Sequence, residues 1–347
     1  MGHQVLTRNL PPSALVALAC FAVFCLVCVF LPPRFTRDAY LASIIDKHRF
    51  LASAKSPKIV FVGGSNLAFG IDSMAISRVF GENVVNMGVS RNFGMRYQLE
   101  EVKDFVHSGD TIVIVPEYDN FRGDTGGSPY LLNVPLLFPS ALKWVWRSYA
   151  YSPAGIWHLA SDSSGYITGK WNYWRKGIYQ TIISKNFHWP ETMRLKNPGE
   201  PSAFGRAAFT VFGDFRGQTC LPNATQKILT TSAEAIDTST ADMLNDFDRF
   251  ASDRGASVVL VPPALPDDVY QRHKKLFDET FAFWVNNLHF PVVGRPENYL
   301  FAQDRFYNSL YHLHDMPAIE EHTRRMVRDL STYAMTAFHA KPGSAQM

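Results

Sequence analysis

Beyond residue 28 the chain has a single cysteine, Cys220. No disulfide framework can form within a globular part built from the later residues, and no CxxC occurs there. A stapled scaffold and dithiol redox chemistry are therefore excluded. Cys20, Cys25 and Cys28 lie in an apolar stretch, where Cys25-Leu-Val-Cys28 is a CxxC by spelling only. The 11 histidines form no HExxH and no tight His/Cys cluster, which leaves a metal centre without support. There is no GxGxxG and no GK[ST], so a nucleotide cradle has no basis. A net charge of +3 without any long Lys/Arg run argues against nucleic acid as a partner. Internal repeats are missing as well.

One long apolar run is present. Ser13 to Leu31 carries no charge and is bracketed by Pro11-Pro12 and Pro32-Pro33. About 20 such residues cross a bilayer core as a helix, and no small-x-small cleavage site follows. The run reads as an uncleaved single-pass anchor rather than a removed signal peptide. Arg8 precedes it, while Arg34, Arg37, Lys47 and Arg49 follow it. On charge alone, the positive-inside rule places the rest of the chain inside.

The expected organisation is a tail over 1–12, the anchor over 13–31, a connecting segment over 32–56, an α/β domain over 57–338 and a mobile tail over 339–347. Thr36 to Ser53 reads as an amphipathic connecting helix. Lys58–Gly63, Asn83–Gly88, Thr111–Val115, Ser257–Val261 and Phe290–Val293 read as short apolar strands. Helical patterns cover Ile71–Phe80, Phe93–His107, Ser232–Arg254, Asp267–Leu288 and Pro317–Phe338. An insertion of weak periodicity occupies about 121–230. Short, uniformly apolar strands alternating with helices predict a doubly wound, mainly parallel sheet with a flavodoxin-like core. Such sheets bind ligands beyond the carboxyl ends of their strands.

The first strand ends in Gly63-Gly64-Ser65. Glycines there permit a sharp turn, and the serine projects its hydroxyl from the sheet edge. A plain strand-to-helix turn with Ser65 as cap is the simpler reading. As a nucleophile Ser65 needs a base. The late candidates are His312, His314 and His322 in FYNSLYHLHDMPAIEEH. The first two precede the last helix, which Asp315 caps and Pro317 opens, and His322 falls on a solvated helix face.

The ordered set GGSN, NMG and a late YHL before the final helix resembles the SGNH (GDSL-type) hydrolase superfamily, specifically a membrane-anchored bacterial clade linked to surface-polysaccharide acylation. The resemblance spans roughly Lys58 to Phe338. It implies Ser65 as nucleophile and His312 as base. Ser65, Gly88 and, after the third strand in PEYDNF, Asn120 would supply the oxyanion hole. Gly64 stands where the motif has aspartate. Asn308 stands where the histidine's acidic partner is expected, with Asp304 and Asp315 as substitutes. The activity implied is hydrolysis or transfer of O-acetyl groups on a cell-surface polysaccharide or small acyl ester, without cofactor or metal. The domain would then be periplasmic, against the charge rule. A catalytically inactive accessory protein that binds polysaccharide or a membrane-bound acyltransferase is the alternative.

Six of the seven tryptophans lie between Trp144 and Trp189, interleaved with Tyr149, Tyr151, Tyr166, Tyr173 and Tyr179. A small aromatic core for the insertion is the favoured reading. Stacking on sugars or seating at a membrane interface is the other. Glu117 and Asp119 form a weak candidate for a glycosidase carboxylate pair.

Overall fold

The computed structural model describes residues 37–122, 126–184, 203–221 and 235–339. The anchor over 13–31, Trp189 and the tail beyond 339 lie outside them. No helix among the described residues is long and apolar enough to cross a membrane.

The chain is α/β with a four-stranded parallel sheet and helices on both faces. Helix α1 (Ser43–Ser53) leads into β1 (Lys58–Gly63), α2 (Ser65–Gly70), α3 (Ser73–Phe80), β2 (Asn83–Asn86), α4 (Met95–Lys103) and β3 (Thr111–Val115). The insertion then forms α5 (Val134–Leu137), α6 (Leu142–Tyr149) and the long α7 (Pro153–Ser184). The core resumes with α8 (Ser239–Ser252), β4 (Ser257–Leu260), β5 (Leu265–Pro266), α9 (Asp267–Arg272), α10 (Lys274–Asn287), β6 (Leu300–Phe301) and α11 (Met316–His339).

The sheet order is β2-β1-β3-β4, with every neighbouring pair parallel. Alternate residues of each strand enter different cores. Val60, Val62, Ile112, Ile114 and Val258 face α4, α8 and α10. Ile59, Phe61, Val84, Val113 and Val259 face Ile76 of α3 and Met326 and Leu330 of α11. This two-sided burial explains why the strands are apolar on both faces through their centres.

Several expectations need correction. Phe290–Val293 is reduced to one parallel bridge, Leu260 to Val292, with Val293 N–H donating to Leu260 O at 2.8 Å. The stretch from Asp267 breaks at His273 into α9 and α10. α1 begins at Ser43 and is no mere connector, because Ile44, Lys47, His48 and Leu51 are buried. The insertion contributes to the core of the site: Phe212 O accepts from Asn86 N, and Phe215 N donates to Ala68 O.

Candidate active site

β1 delivers Ser65 to the carboxyl edge of the sheet as the first residue of α2. The two preceding glycines are required by close approach, not by unusual dihedrals. Gly64 sits at φ −86°. A Cβ on Gly63 would lie 2.4 Å from Val115 O, and one on Gly64 would lie 2.7 Å from Glu117 Oε1. The turn is thereby pressed against the end of β3.

His312 reaches the same edge from a loop folded back on itself just before α11. Tyr307 N donates to His312 O at 2.8 Å, His314 N donates to Arg305 O at 2.8 Å, and Phe306 bridges Leu313. His312 Nε2 lies 2.8 Å from Ser65 Oγ, and its Nδ1 lies 2.7 Å from Asn308 Oδ1. An amide oxygen only accepts, so Nδ1 carries the proton and Nε2 presents a lone pair to the serine O–H. The ring of Phe69, from α2, lies flat against the imidazole, with centroids 4.0 Å apart and planes 10° apart. Burial lowers the pKa of His312 from 6.5 to about 3, so it is held in the neutral, proton-accepting form.

The other candidates are placed as follows. Asp315 accepts from Ala318 N at 2.8 Å, capping α11, and pairs with Arg305. Asp304 is exposed, and the second imidazole nitrogen is met by Asn308. His314 donates to Leu221 O and stacks on Tyr307. His322 is buried, not solvated, and donates from Nδ1 to Gly70 O at 2.7 Å. Its helix face turns inward onto α2.

Gly88 touches the serine turn, since a Cβ there would stand 2.5 Å from Gly64 O. Its N–H donates to Asn86 Oδ1 at 3.0 Å. Asn120 is fully buried. Its Oδ1 accepts from Glu117 N at 3.0 Å, and its Nδ2 has no hydrogen-bond partner.

Sequence reasoning missed Phe69, the Arg91 contact of the Glu117 and Asp119 pair, and a buried polar network. Phe69 has no polar signal to mark it. Glu117 and Asp119 converge on Arg91, with Asp119 Oδ2 at 2.6 Å and Glu117 Oε2 at 3.7 Å, so the carboxylates are not a free glycosidase pair. Beneath the turn lies a buried polar network. Asn86 Nδ2 donates to Leu67 O and to Asp214 Oδ1, Ser73 donates to both oxygens of Asp214, and Lys47 Nζ donates to Asn86 O and Gly213 O. Burial lowers the Lys47 pKa to about 7, although the charges of Asp214 and Glu101 oppose that shift. Only the tertiary fold joins residues 47, 73, 86 and 214.

Among the described residues no three His, Cys, Asp or Glu side chains are grouped to hold a metal ion. No family model, no curated protein and no solved structure matches the chain, so the chemistry of the site rests on its own geometry.

Proposed function

We propose that the chain is a serine-dependent acyl-ester hydrolase or O-acyltransferase of SGNH type, acting on O-acetyl groups of a cell-surface polysaccharide from an extracytoplasmic position at the membrane. The observation that carries this reading is the unbroken contact from Ser65 Oγ through His312 to Asn308. The strand order, extended beyond β4 by the Leu260–Val292 bridge, supports a flavodoxin-like core with the site at its carboxyl edge.

Ser65 Oγ attacks the acyl carbonyl as His312 Nε2 takes its proton. The carbonyl π pair moves onto oxygen. N–H groups in the first turn of a helix lack intrahelical acceptors, so that of Ser65 is available to the oxyanion, and Asn120 Nδ2 and Gly88 N–H are the further donors. Gly88 serves only if it exchanges Asn86 Oδ1 for the oxyanion. The imidazolium then protonates the leaving alkoxide, leaving an acyl-serine. Water or an acceptor hydroxyl, deprotonated by His312, completes hydrolysis or transfer.

The inactive accessory reading is favoured by one feature, the uncharged Asn308, which cannot stabilise an imidazolium by charge. In a serine protease triad the equivalent replacement costs on the order of 10⁴ in rate, through the wrong tautomer. Here Asn308 presents its oxygen to Nδ1, so that cause does not apply. The deciding experiment uses the full chain in detergent. It compares p-nitrophenyl acetate hydrolysis and fluorophosphonate labelling for wild type, Ser65→Ala and His312→Ala. Loss of both signals in the variants supports the enzyme. Equal signals in all three would establish the accessory role.

A further inference from the structure

The helix that carries Ser65 is only six residues long, Ser65–Gly70. A helix this short is not held by its own hydrogen bonds, and its last four carbonyls have no acceptor role inside it. Each of the four is met from outside. Asn86 Nδ2 donates to Leu67 O at 3.0 Å, and Phe215 N donates to Ala68 O at 2.7 Å. Gln218 Nε2 lies 3.4 Å from Phe69 O, and His322 Nδ1 donates to Gly70 O at 2.7 Å. Arg216 Nη2 adds a bond to Ile71 O at 2.9 Å, just past the helix. Phe215, Arg216 and Gln218 all belong to one stretch of the insertion.

The same stretch aims Asn86. Asp214 Oδ1 accepts from Asn86 Nδ2 at 2.9 Å. A carboxylate only accepts, so it draws the amide nitrogen toward itself and Leu67 O. Asn86 Oδ1 is thereby left for Gly88 N–H, at 3.0 Å. The stretch also reaches the histidine loop. Gln218 is fully buried, and its Nε2 lies 3.4 Å from Leu313 O as well, the carbonyl next to His312. His314 Nε2 donates to Leu221 O at 2.9 Å. Residues 214–221 therefore hold both the helix that bears Ser65 and the loop that bears His312.

Resting on the serine reading above, we propose that residues 214–221 are a clamp that sets the Ser65–His312 distance. Asp214 and Gln218 are its positioning residues. Asp214 acts on the serine helix through Asn86. Gln218 acts on both partners, because one nitrogen spans Phe69 O and Leu313 O. A misplacement of about 1 Å between reacting groups costs on the order of 100-fold in rate, so the clamp bears on turnover rather than on substrate binding.

The test uses the full chain in detergent, with p-nitrophenyl acetate as substrate and fluorophosphonate titration, run to completion, to count active sites. Gln218→Leu keeps the bulk of the side chain and removes its donor. We expect kcat per titrated site to fall about 10- to 100-fold, with KM within about twofold of wild type. Asp214→Asn presents a donor as well as an acceptor, so it no longer dictates which end of the Asn86 amide faces it. It should cost about tenfold in the same quantity. Lower melting temperatures with an unchanged rate per site in both variants would make the stretch a mere cover and overturn the proposal. Amide exchange on wild type gives a measure that needs no variant. Phe215 N–H should be protected as strongly as the amides of β3, and exchange at the rate of an open loop overturns the clamp. Wild type that neither hydrolyses the ester nor takes the label sinks the serine reading and this role with it. Active wild type with unaffected variants sinks the clamp alone.

Discussion

Phe69 and His312 come from elements 243 positions apart in the chain, yet their rings lie in parallel planes at 4.0 Å. Ser65 and Phe69 sit one helical turn apart on α2. A single short helix thus supplies both the hydroxyl and the surface that fixes the imidazole facing it. Stacking sets the ring plane, Asn308 sets its rotation, and the serine lies along the remaining nitrogen.

Replacing Phe69 with leucine keeps most of the buried volume and removes the flat face. We expect kcat to fall about 3- to 10-fold with KM nearly unchanged, the scale of an aromatic pair contribution. The acid limb of the pH–rate profile should move upward as water reaches the imidazole and relieves the desolvation that lowers its pKa. A steady-state pH series on wild type and Phe69→Leu measures both. An unmoved profile would mean that Phe69 merely fills space.

Asn308→Asp places a carboxylate 2.7 Å from Nδ1, where an amide oxygen now stands. The charge stabilises the imidazolium and raises the pKa of His312, so the gain appears mainly in kcat, at least about tenfold at neutral pH. Asn308→Ala removes the acceptor that selects the tautomer and should slow turnover. Esterase assays on the two variants settle the direction. An aspartate variant no faster than wild type would show that imidazolium formation does not limit the reaction.

Four of the five expected strands appear where the apolar runs stand, because a parallel strand covered on both sides needs apolar, mostly β-branched residues on both faces of its centre. Phe290–Val293 has only four residues at the sheet's far edge and makes a single bridge. Ser65 was legible because Gly-Gly-Ser at a strand end is a local pattern. Position ahead of the last helix left His312 and His314 both open, and only the resemblance to SGNH hydrolases singled out His312 and Asn308. Phe69 was not legible, since nothing separates a stacking phenylalanine from a core one along the chain. His322 misled for a similar reason. A histidine amid Glu320, Glu321, Arg324 and Arg325 reads as solvated, whereas α11 turns that one position onto α2. The network of Lys47, Ser73, Asn86 and Asp214 draws on four distant segments and leaves no local mark.

His322 gives the fold an acid-sensitive element. Nδ1 donates to Gly70 O, Nε2 is buried without a partner, and burial lowers its pKa to about 4. The unfolded chain takes up this proton near pH 6.5. The histidine's contribution is therefore fully present above about 6.5 and is lost as pH falls through about 4. Within that window the stability slope contributed by one such group approaches about 1.4 kcal/mol per pH unit. His312 acts in the same direction with a lower limit. Thermal melts of wild type and His322→Gln from pH 7 to 4 should show a shallower decline in the variant. Parallel declines would remove His322 as the cause.

Gly88 and Gly81 separate a steric requirement from a conformational one. Gly81 ends α3 at φ +68° with nothing within 4 Å of where a Cβ would stand. Alanine there meets only backbone strain, about 1 kcal/mol, far from Ser65 in the fold's logic, and should leave esterase activity intact. Gly88 has no such dihedral, but its Cβ would sit 2.5 Å from both Gly64 O and Leu67 Cβ. Neither neighbour is the free end of a side chain, so the serine turn itself must move. A displacement of about 1 Å at a reacting group costs on the order of 100-fold in rate, beside a stability loss of about 1–3 kcal/mol from overpacking. Measuring melting temperature and kcat for both variants tests this. Gly88→Ala should lose activity far beyond its loss of stability, and Gly81→Ala should lose stability alone. If the two variants shift together, the contact between Gly88 and Gly64 does not hold the nucleophile in place.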